Sequence, residues 1–261
     1  MRLLLIFFYR FKVFKRIIPS IIKKINFHKF IIINHKNFML NLNLNNPIDI
    51  QIYLTKKYEE DNIFFLKKLI KKNNMNLFFD IGAHMGFYSM NIAANFPKVQ
   101  IKSFEPIKSN FYQLKENAKL NKYIHRIDIY RKALSNETKK LKMWVPIKTK
   151  TGGFSIYSKK DEELKKYNVK KISYESVDSA KLDNIFKIKN KRIAVKLDVE
   201  RHEKFVILGG KKFFNNNKIL LQIELFNERK KEVDLMLKKM NFKFIKSNKR
   251  DYFYSNYKIK K

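Results

Sequence analysis

An α/β fold, with a mostly parallel sheet covered by helices on both faces, is what this sequence predicts, and three observations predict it. From Asn76 onward, short apolar runs rich in Ile, Val and Phe alternate with longer stretches of helical period, the rhythm of repeated strand–helix units. The run that opens this region passes through two glycines straight into a helix. The chain then closes on two short aromatic runs separated by a polar turn, which reads as an antiparallel hairpin. With 261 residues, 45% of them hydrophobic, there is enough chain for one full core and a smaller appendage.

Taken in order, the predicted strands are Leu77 to Ile81, Gln100 to Phe104, Ile127 to Ala133, Ile193 to Val199 and Ile219 to Leu225. Helices are expected at Tyr88 to Asn95, Ser109 to Asn121 and His202 to Phe214, and the hairpin at Phe242 to Ile245 and Tyr252 to Tyr254. Upstream, Tyr58 to Lys72 sets Ile63, Phe64, Phe65, Leu66, Leu69 and Ile70 at helical spacing. The Asn-rich stretch from Asn41 to Asp49 contains Pro47 and reads as a turn or linker. The expected division is an N-terminal extension over 1–48, a lead-in helix over 49–75 and a main domain over 76–261.

The extension has no acidic residue before Asp49, yet carries Arg2, Arg10, Lys12, Lys15, Arg16, Lys23, Lys24, Lys29 and Lys36. It reads as a basic amphipathic helical segment. Its apolar run from Leu3 to Tyr9 is far below the roughly 20 residues that span a bilayer, and a secretory signal with a small-residue cleavage site is not expected either. Phe7, Phe8, Phe11, Phe14 and Ile18 suit a helix lying through residues 1–30 on an anionic membrane surface, or one packed on the main domain.

A formal charge of +35 points to nucleic acid, an anionic membrane face or an anionic substrate. Lys, Asn, Ile and Phe also crowd loops and helices alike, the signature of an AT-rich coding sequence. The absence of cysteine excludes disulfides, thiolate metal sites and cysteine nucleophiles, and suits a reducing compartment such as the cytoplasm.

The chemistry concentrates in Asp80-Ile81-Gly82-Ala83-His84-Met85-Gly86, which follows a strand and opens a helix. Open parallel sheets bind ligands at such carboxyl ends, and glycine at 82 and 86 lets the backbone turn tightly and approach a ligand. Glu105 ends the next strand, twenty-five positions after Asp80, where a carboxylate can accept from both ribose hydroxyls of an adenosine. A dinucleotide fingerprint would read G-x-G-x-x-G, and a P-loop would carry Lys and Ser or Thr after its second glycine. The G-x-x-x-G spacing and the Phe87-Tyr88 that follows it fit neither.

These residues, with Phe104-Glu105-Pro106, Lys196-Leu197-Asp198-Val199-Glu200-Arg201-His202-Glu203 and Ile223-Glu224, resemble the FkbM family of methyltransferases over roughly Asn76 to Phe226. Leu182-Asp183 and Gly152-Gly153-Phe154-Ser155 fall where the family carries similar short motifs. The resemblance implies a Rossmann-like seven-stranded class I methyltransferase fold. It implies S-adenosylmethionine as cofactor, held by Asp80, Gly82, His84, Gly86 and Glu105, and methyl transfer to a hydroxyl oxygen, often of a sugar. Two positions depart from the family: His84 stands where it usually has Asn, and Arg201 where it usually has Gly.

In a sheet of this type the fourth and fifth strands are neighbours, so Asp198 and Glu200 should approach Glu224 at the mouth of the cleft. Methyl transfer to a hydroxyl needs alignment and a base. Asp198 and Glu200 are the candidates, with His202 as the alternative base and Glu203 also within the cluster. Carboxylates with a histidine can also hold a hard divalent ion, which the resemblance does not require. Phe154 and Ser155, with Glu224, are the candidate acceptor-binding residues; Phe154, Tyr157 and Trp144 suit either a sugar ring or the core. The expected partner is a saccharide or other hydroxyl-bearing acceptor, met in the cytoplasm at the inner membrane face. An RNA methyltransferase and a non-catalytic membrane- or nucleic-acid-binding protein are the competing readings.

Overall fold

The computed structural model describes residues 8–9, 17–18, 21–22, 30–146 and 172–260. The chain forms two compact units: the first takes the described residues up to Glu60 together with Pro146 and Ile172, and the second begins at Asp61.

In the first unit, β1 (Phe30–His35) and β2 (Phe38–Asn43) form an antiparallel hairpin. Residues 30–43 are therefore strand where the sequence reading expected helix or linker. The reason is a period of two: Ile33 and His35 on one strand and Phe38, Leu40 and Leu42 on the other are buried, with more exposed residues between. Helix α1 (Pro47–Thr55) follows; the Asn46 side chain accepts from the Ile48 N–H at 2.9 Å, and Pro47 occupies the first turn. Ile50 and Leu54 of α1 pack with Leu44, Ile18 and Ile22.

The second unit begins with α2 (Glu60–Lys72), which buries Ile63, Leu66, Leu69 and Ile70 along one stripe. Then come β3 (Leu77–Ile81), α3 (Phe87–Asn95), β4 (Gln100–Phe104), α4 (Lys108–Leu120), β5 (Ile127–Tyr130), β6 (Ala133–Leu134) and β7 (Lys140–Pro146). After the undescribed stretch follow β8 (Ile172–Ala180), α5 (Leu182–Ile185), β9 (Arg192–Leu197), α6 (Glu203–Gly209), α7 (Lys211–Asn215) and β10 (Lys218–Glu224). Helix α8 (Asn227–Lys239), β11 (Lys243–Asn248) and β12 (Asp251–Ser255) complete the unit.

Seven strands form one sheet in the order β11-β12-β10-β9-β3-β4-β5. The five from β10 to β5 are parallel, and the β11–β12 hairpin joins antiparallel to β10. This is the mostly parallel Rossmann-like sheet with a closing hairpin that the sequence predicts. The parallel strands are buried on both faces, as Ile193, Ala194, Val195 and Leu197 illustrate. A second sheet, β6-β8-β7, lies beside it in sequence, and its Trp144 is a core residue, 2% exposed.

The helix expected from His202 to Phe214 is two helices, broken at Gly209-Gly210. A Cβ on Gly209 would lie 1.9 Å from the Ser135 carbonyl oxygen, so the chain there can approach β6 only without a side chain. Asp183, in one of the short motifs, accepts from the backbone N–H groups of Lys212 and Phe213 and so caps α7.

A buried polar chain ties the hairpin to the sheet and to α2. The Asp251 carboxylate accepts from Asn62 Nδ2 at 2.7 Å and from Gln222 Nε2 at 2.8 Å, and Gln222 Nε2 also reaches the Tyr88 hydroxyl at 2.8 Å. Asp251→Ala leaves buried amide donors without their acceptor, a loss of about 1–3 kcal/mol. Urea unfolding at neutral pH should show the unfolding free energy falling by that amount, while Lys249→Ala in the adjoining exposed turn leaves it unchanged.

Candidate active site

The loop after β3 is shaped by backbone contacts to both neighbouring strands. The N–H groups of Gly82 and Ala83 donate to the Phe104 carbonyl at 3.0 and 2.9 Å, and the Asp198 N–H donates to the Ile81 carbonyl at 3.0 Å. Gly82 and Gly86 have φ of +82° and +85°, the left-handed region that glycine adopts without strain. Protein fills the space beside both: a Cβ at 82 would sit 1.8 Å from the Asp198 carbonyl oxygen, and one at 86 would sit 2.2 Å from Leu114 Cδ1. The glycines therefore admit the end of β9 and the side of α4, a requirement separate from approach to a ligand.

His84 also has a positive φ, 52°, where Asn is better tolerated than most residues; this accounts for the family's usual Asn. Burial, with the charge of Lys196 adding to it and Asp198 opposing, lowers the His84 pKa to about 4, so its ring is neutral at physiological pH.

Two buried carboxylates frame this loop. Asp80, fully buried, accepts through Oδ2 from the Ser89 N–H at 3.0 Å and the Ser89 hydroxyl at 2.6 Å, and that hydroxyl lies 2.8 Å from the Ser103 hydroxyl. Its Oδ1 is buried with no hydrogen-bond partner among the described residues. Burial raises the Asp80 pKa, with Lys196 opposing. Glu105 accepts from the His84 N–H at 2.8 Å through Oε2 and from the Ile107 N–H at 2.9 Å through Oε1. Burial pushes its pKa up to about 7 against those bonds.

At the ends of β9 and β10 the predicted carboxylates do converge. Lys196, 6% exposed, places its ammonium 3.0 Å from Asp198 Oδ2 and 4.9 Å from the centre of the Tyr88 ring. Asp198 is hydrogen-bonded to Glu224, and Glu200 and Asp251 add negative charge around Glu224. Burial, then the charge of Asp198, pushes the Glu224 pKa up to about 9, whereas Lys196 and its hydrogen bond hold Asp198 below the ordinary range despite burial. At neutral pH the pair is one proton shared: Glu224 donates and Asp198 accepts.

Glu200 and Arg201 are consecutive left-handed residues, with φ of 52° and 77°. A residue with a Cβ costs about 1–2 kcal/mol there, which explains why the family usually has Gly where Arg201 stands. Glu203 pins the turn: its Oε1 accepts from the Val199 N–H at 3.3 Å and the Arg201 N–H at 3.0 Å, and burial pushes its pKa up to about 7. This clamp is the contribution that sequence reasoning missed, and a Glu two residues beyond an expected Gly was its signal.

His202 is engaged with the residue that follows β6 and with α6. Its Nε2 is 3.0 Å from the Ser135 hydroxyl, its ring stacks on Phe205 at 4.7 Å, and burial lowers its pKa to about 4. Phe154 and Ser155 lie outside the described residues. Among the described residues no group of three or more His, Cys, Asp or Glu side chains is arranged to hold a metal ion, and no helix is long and apolar enough to cross a membrane.

Comparison with known proteins bears on this arrangement. Solved structures similar in fold include the precorrin-6y C5,15-methyltransferase of Geobacter metallireducens GS-15 (10% identity, TM-score 0.44, covering 76% of this chain and 89% of that one). The TYW2 of M. jannaschii, solved in complex with AdoMet, is 12% identical with a TM-score of 0.45 over 88% of this chain and 85% of its own. The METTL16 MTase domain is 11% identical with a TM-score of 0.44 over 84% and 73%. No curated protein matches the chain. The description "Methyltransferase FkbM domain" matches residues 80–244, a span that starts at Asp80 and takes in Glu105, Asp198 and Glu224. The chain therefore belongs to the FkbM methyltransferase family.

Proposed function

We propose that this methyltransferase acts on a hydroxyl oxygen, that of a saccharide or glycan precursor, with Asp198 receiving the proton. The observation that carries the oxygen acceptor is the Asp198–Glu224 pair, an ionised carboxylate beside a protonated one at the carboxyl end of the sheet. An alcohol oxygen that gains a methyl group becomes strongly acidic, so even a carboxylate of low pKa removes its proton. Lys196 keeps Asp198 ionised, and Glu224 holds it in place through the shared proton. The saccharide is carried by family resemblance alone.

S-adenosylmethionine is the methyl donor of this enzyme class; when bound, it supplies an electrophilic methyl group on a sulfonium. The residues present fit it. Glu105 ends β4 with its carboxylate oriented by two backbone donors and lone pairs remaining for ribose hydroxyls, and the unpartnered Asp80 Oδ1 offers an acceptor to the polar end of the amino-acid portion. In the same reading the basic segment through residue 30, free of acidic residues, holds the enzyme at an anionic lipid surface.

Isothermal titration with S-adenosylhomocysteine tests the cofactor assignment. Wild-type protein should bind saturably and Glu105→Ala at least about tenfold more weakly, a loss of about 1.4 kcal/mol; equal binding by the variant removes Glu105 from the site. Asp198→Asn should keep cofactor affinity while methyl transfer from radiolabelled S-adenosylmethionine falls by about 10²-fold or more. Incorporation into RNA in preference to glycan would replace the saccharide reading.

The shared proton also predicts a pH dependence of stability. Glu224 keeps its proton in the folded state up to about pH 9, whereas in the unfolded chain it is already ionised above its ordinary value near 4.5. The folded state then binds more protons, so stability falls as pH rises from 7 to 9, by at most about 1.4 kcal/mol per pH unit. Urea unfolding at pH 7, 8 and 9 should show that decline in wild type and a flatter profile in Glu224→Gln. A profile equally steep in both assigns the decline to other groups.

A further inference from the structure

We propose that Arg201 and Arg250, held against the ring of Phe226 beside Glu200 and Glu224, form a phosphate-binding subsite, so that the acceptor is a phosphorylated saccharide. This deepens the hydroxyl-methylation reading and rests on it. The Arg201 guanidinium carbon lies 4.9 Å and that of Arg250 4.6 Å from the centre of the Phe226 ring. Leu225, with its N–H bonded to the Arg250 carbonyl, is buried in the core. Phe226 stands two residues after Glu224, the last residue of β10, and Arg250 directly precedes Asp251, which pairs with Glu224. Arg201 directly follows Glu200, whose charge is felt at Glu224. Both guanidiniums are therefore carried by segments that end at the carboxylate pair.

What sets these two arginines apart is the use of their donors. Arg126 donates to the carbonyls of Ala93, Phe96 and Pro97, Arg131 to Glu175, Arg192 to the Asn73 carbonyl and Arg229 to the Arg201 carbonyl. Among the described arginines, Arg201 and Arg250 alone make no side-chain hydrogen bond or ion pair; a ring face holds each in position. A guanidinium presents a planar fork matched to phosphate oxygens, and two on one ring leave both forks for a ligand. Glu224 is protonated at neutral pH, Asp198 is paired with Lys196 and Asp251 is held by Asn62 and Gln222, so the two guanidiniums are set chiefly against the charge of Glu200.

The backbone points the same way. Arg201 occupies a left-handed conformation at φ 77°, where glycine would sit without strain, and Arg229 and Glu203 bond its carbonyl and N–H. A strained residue that the surroundings hold in place is characteristic of a functional position. The subsite would orient the acceptor: phosphate on the arginines, a ring hydroxyl toward Asp198.

The test is titration of the full-length chain, saturated with S-adenosylhomocysteine at fixed low salt, with glucose 1-phosphate, inorganic phosphate and glucose. Wild type should bind both phosphates and bind glucose far more weakly. The double variant Arg201→Gln/Arg250→Gln should bind glucose 1-phosphate at least about tenfold more weakly, with its melting temperature and S-adenosylhomocysteine affinity retained as evidence of an intact fold. Lys218→Gln, at the opposite end of β10, controls for the general positive charge and should change phosphate binding less than about twofold. Undiminished binding by the arginine variant, an equal loss in Lys218→Gln, or no phosphate binding by wild type would overturn the subsite. Arg201→Gly separates backbone from side chain: it relieves the strain yet should still lose phosphate affinity. Failure of wild type to bind S-adenosylhomocysteine would count against the proposed reaction, while the phosphate comparison decides the subsite by itself.

Discussion

The rest of the site depends on how closely the end of β9 comes to the loop after β3. The Asp198 N–H bonds to the Ile81 carbonyl, and the Asp198 carbonyl oxygen occupies the place where a Cβ at position 82 would stand. Gly82 thus serves the protein on both sides: its positive φ lets the loop curl, and its missing side chain lets a second strand end close against it. Any larger residue there would push apart the loop after β3 and the strand end that carries Asp198. The distance between the loop after Asp80 and the end of β9 is in this way set by one hydrogen atom.

The turn from Val199 to Glu203 shows a different economy. Two consecutive non-glycine residues take left-handed conformations, and the compensation is local, from the Glu203 carboxylate accepting both neighbouring N–H groups. A helix whose first residue reaches back to close the preceding turn resembles a capping box in its physics. Here it stabilises a conformation that the sequence alone would disfavour, and it aims two charged side chains where glycine would have aimed none.

Much of the larger unit was legible because its strands are short apolar runs punctuated by helical stretches, and because Asp80, the two glycines and Glu105 stand in order at strand ends. The parallel pairing of β9 with β10, which a sheet of this type implies, brings Asp198 and Glu200 toward Glu224. Other elements carry weaker signals. In β1 and β2 the alternation of Phe38, Leu40 and Leu42 sits among basic and aromatic residues that suggest an amphipathic helix equally well. Helix α8 buries Val233 and Leu237 among charged neighbours, too thin a stripe to stand out. The strands β7 and β8 are separated by more than twenty residues, and such non-local pairing leaves no local pattern. His202 was legible as a titratable group but not as one tied to Ser135, since that contact spans 67 positions.

Lys196 is a buried cation whose charge acts on carboxylates at the ends of both β3 and β9. Its ammonium bonds to Asp198, and its charge opposes the burial that raises the Asp80 pKa. A change of charge at one carboxylate therefore alters the field that the other experiences through the same ammonium. In the proposed reaction such coupling is reciprocal in equilibrium terms: whatever factor a bound donor applies to acceptor affinity, a bound acceptor must apply to donor affinity. The order in which the two ligands arrive can then shape the kinetic path through the cycle, while the occupancy of the ternary complex is independent of the route taken to it.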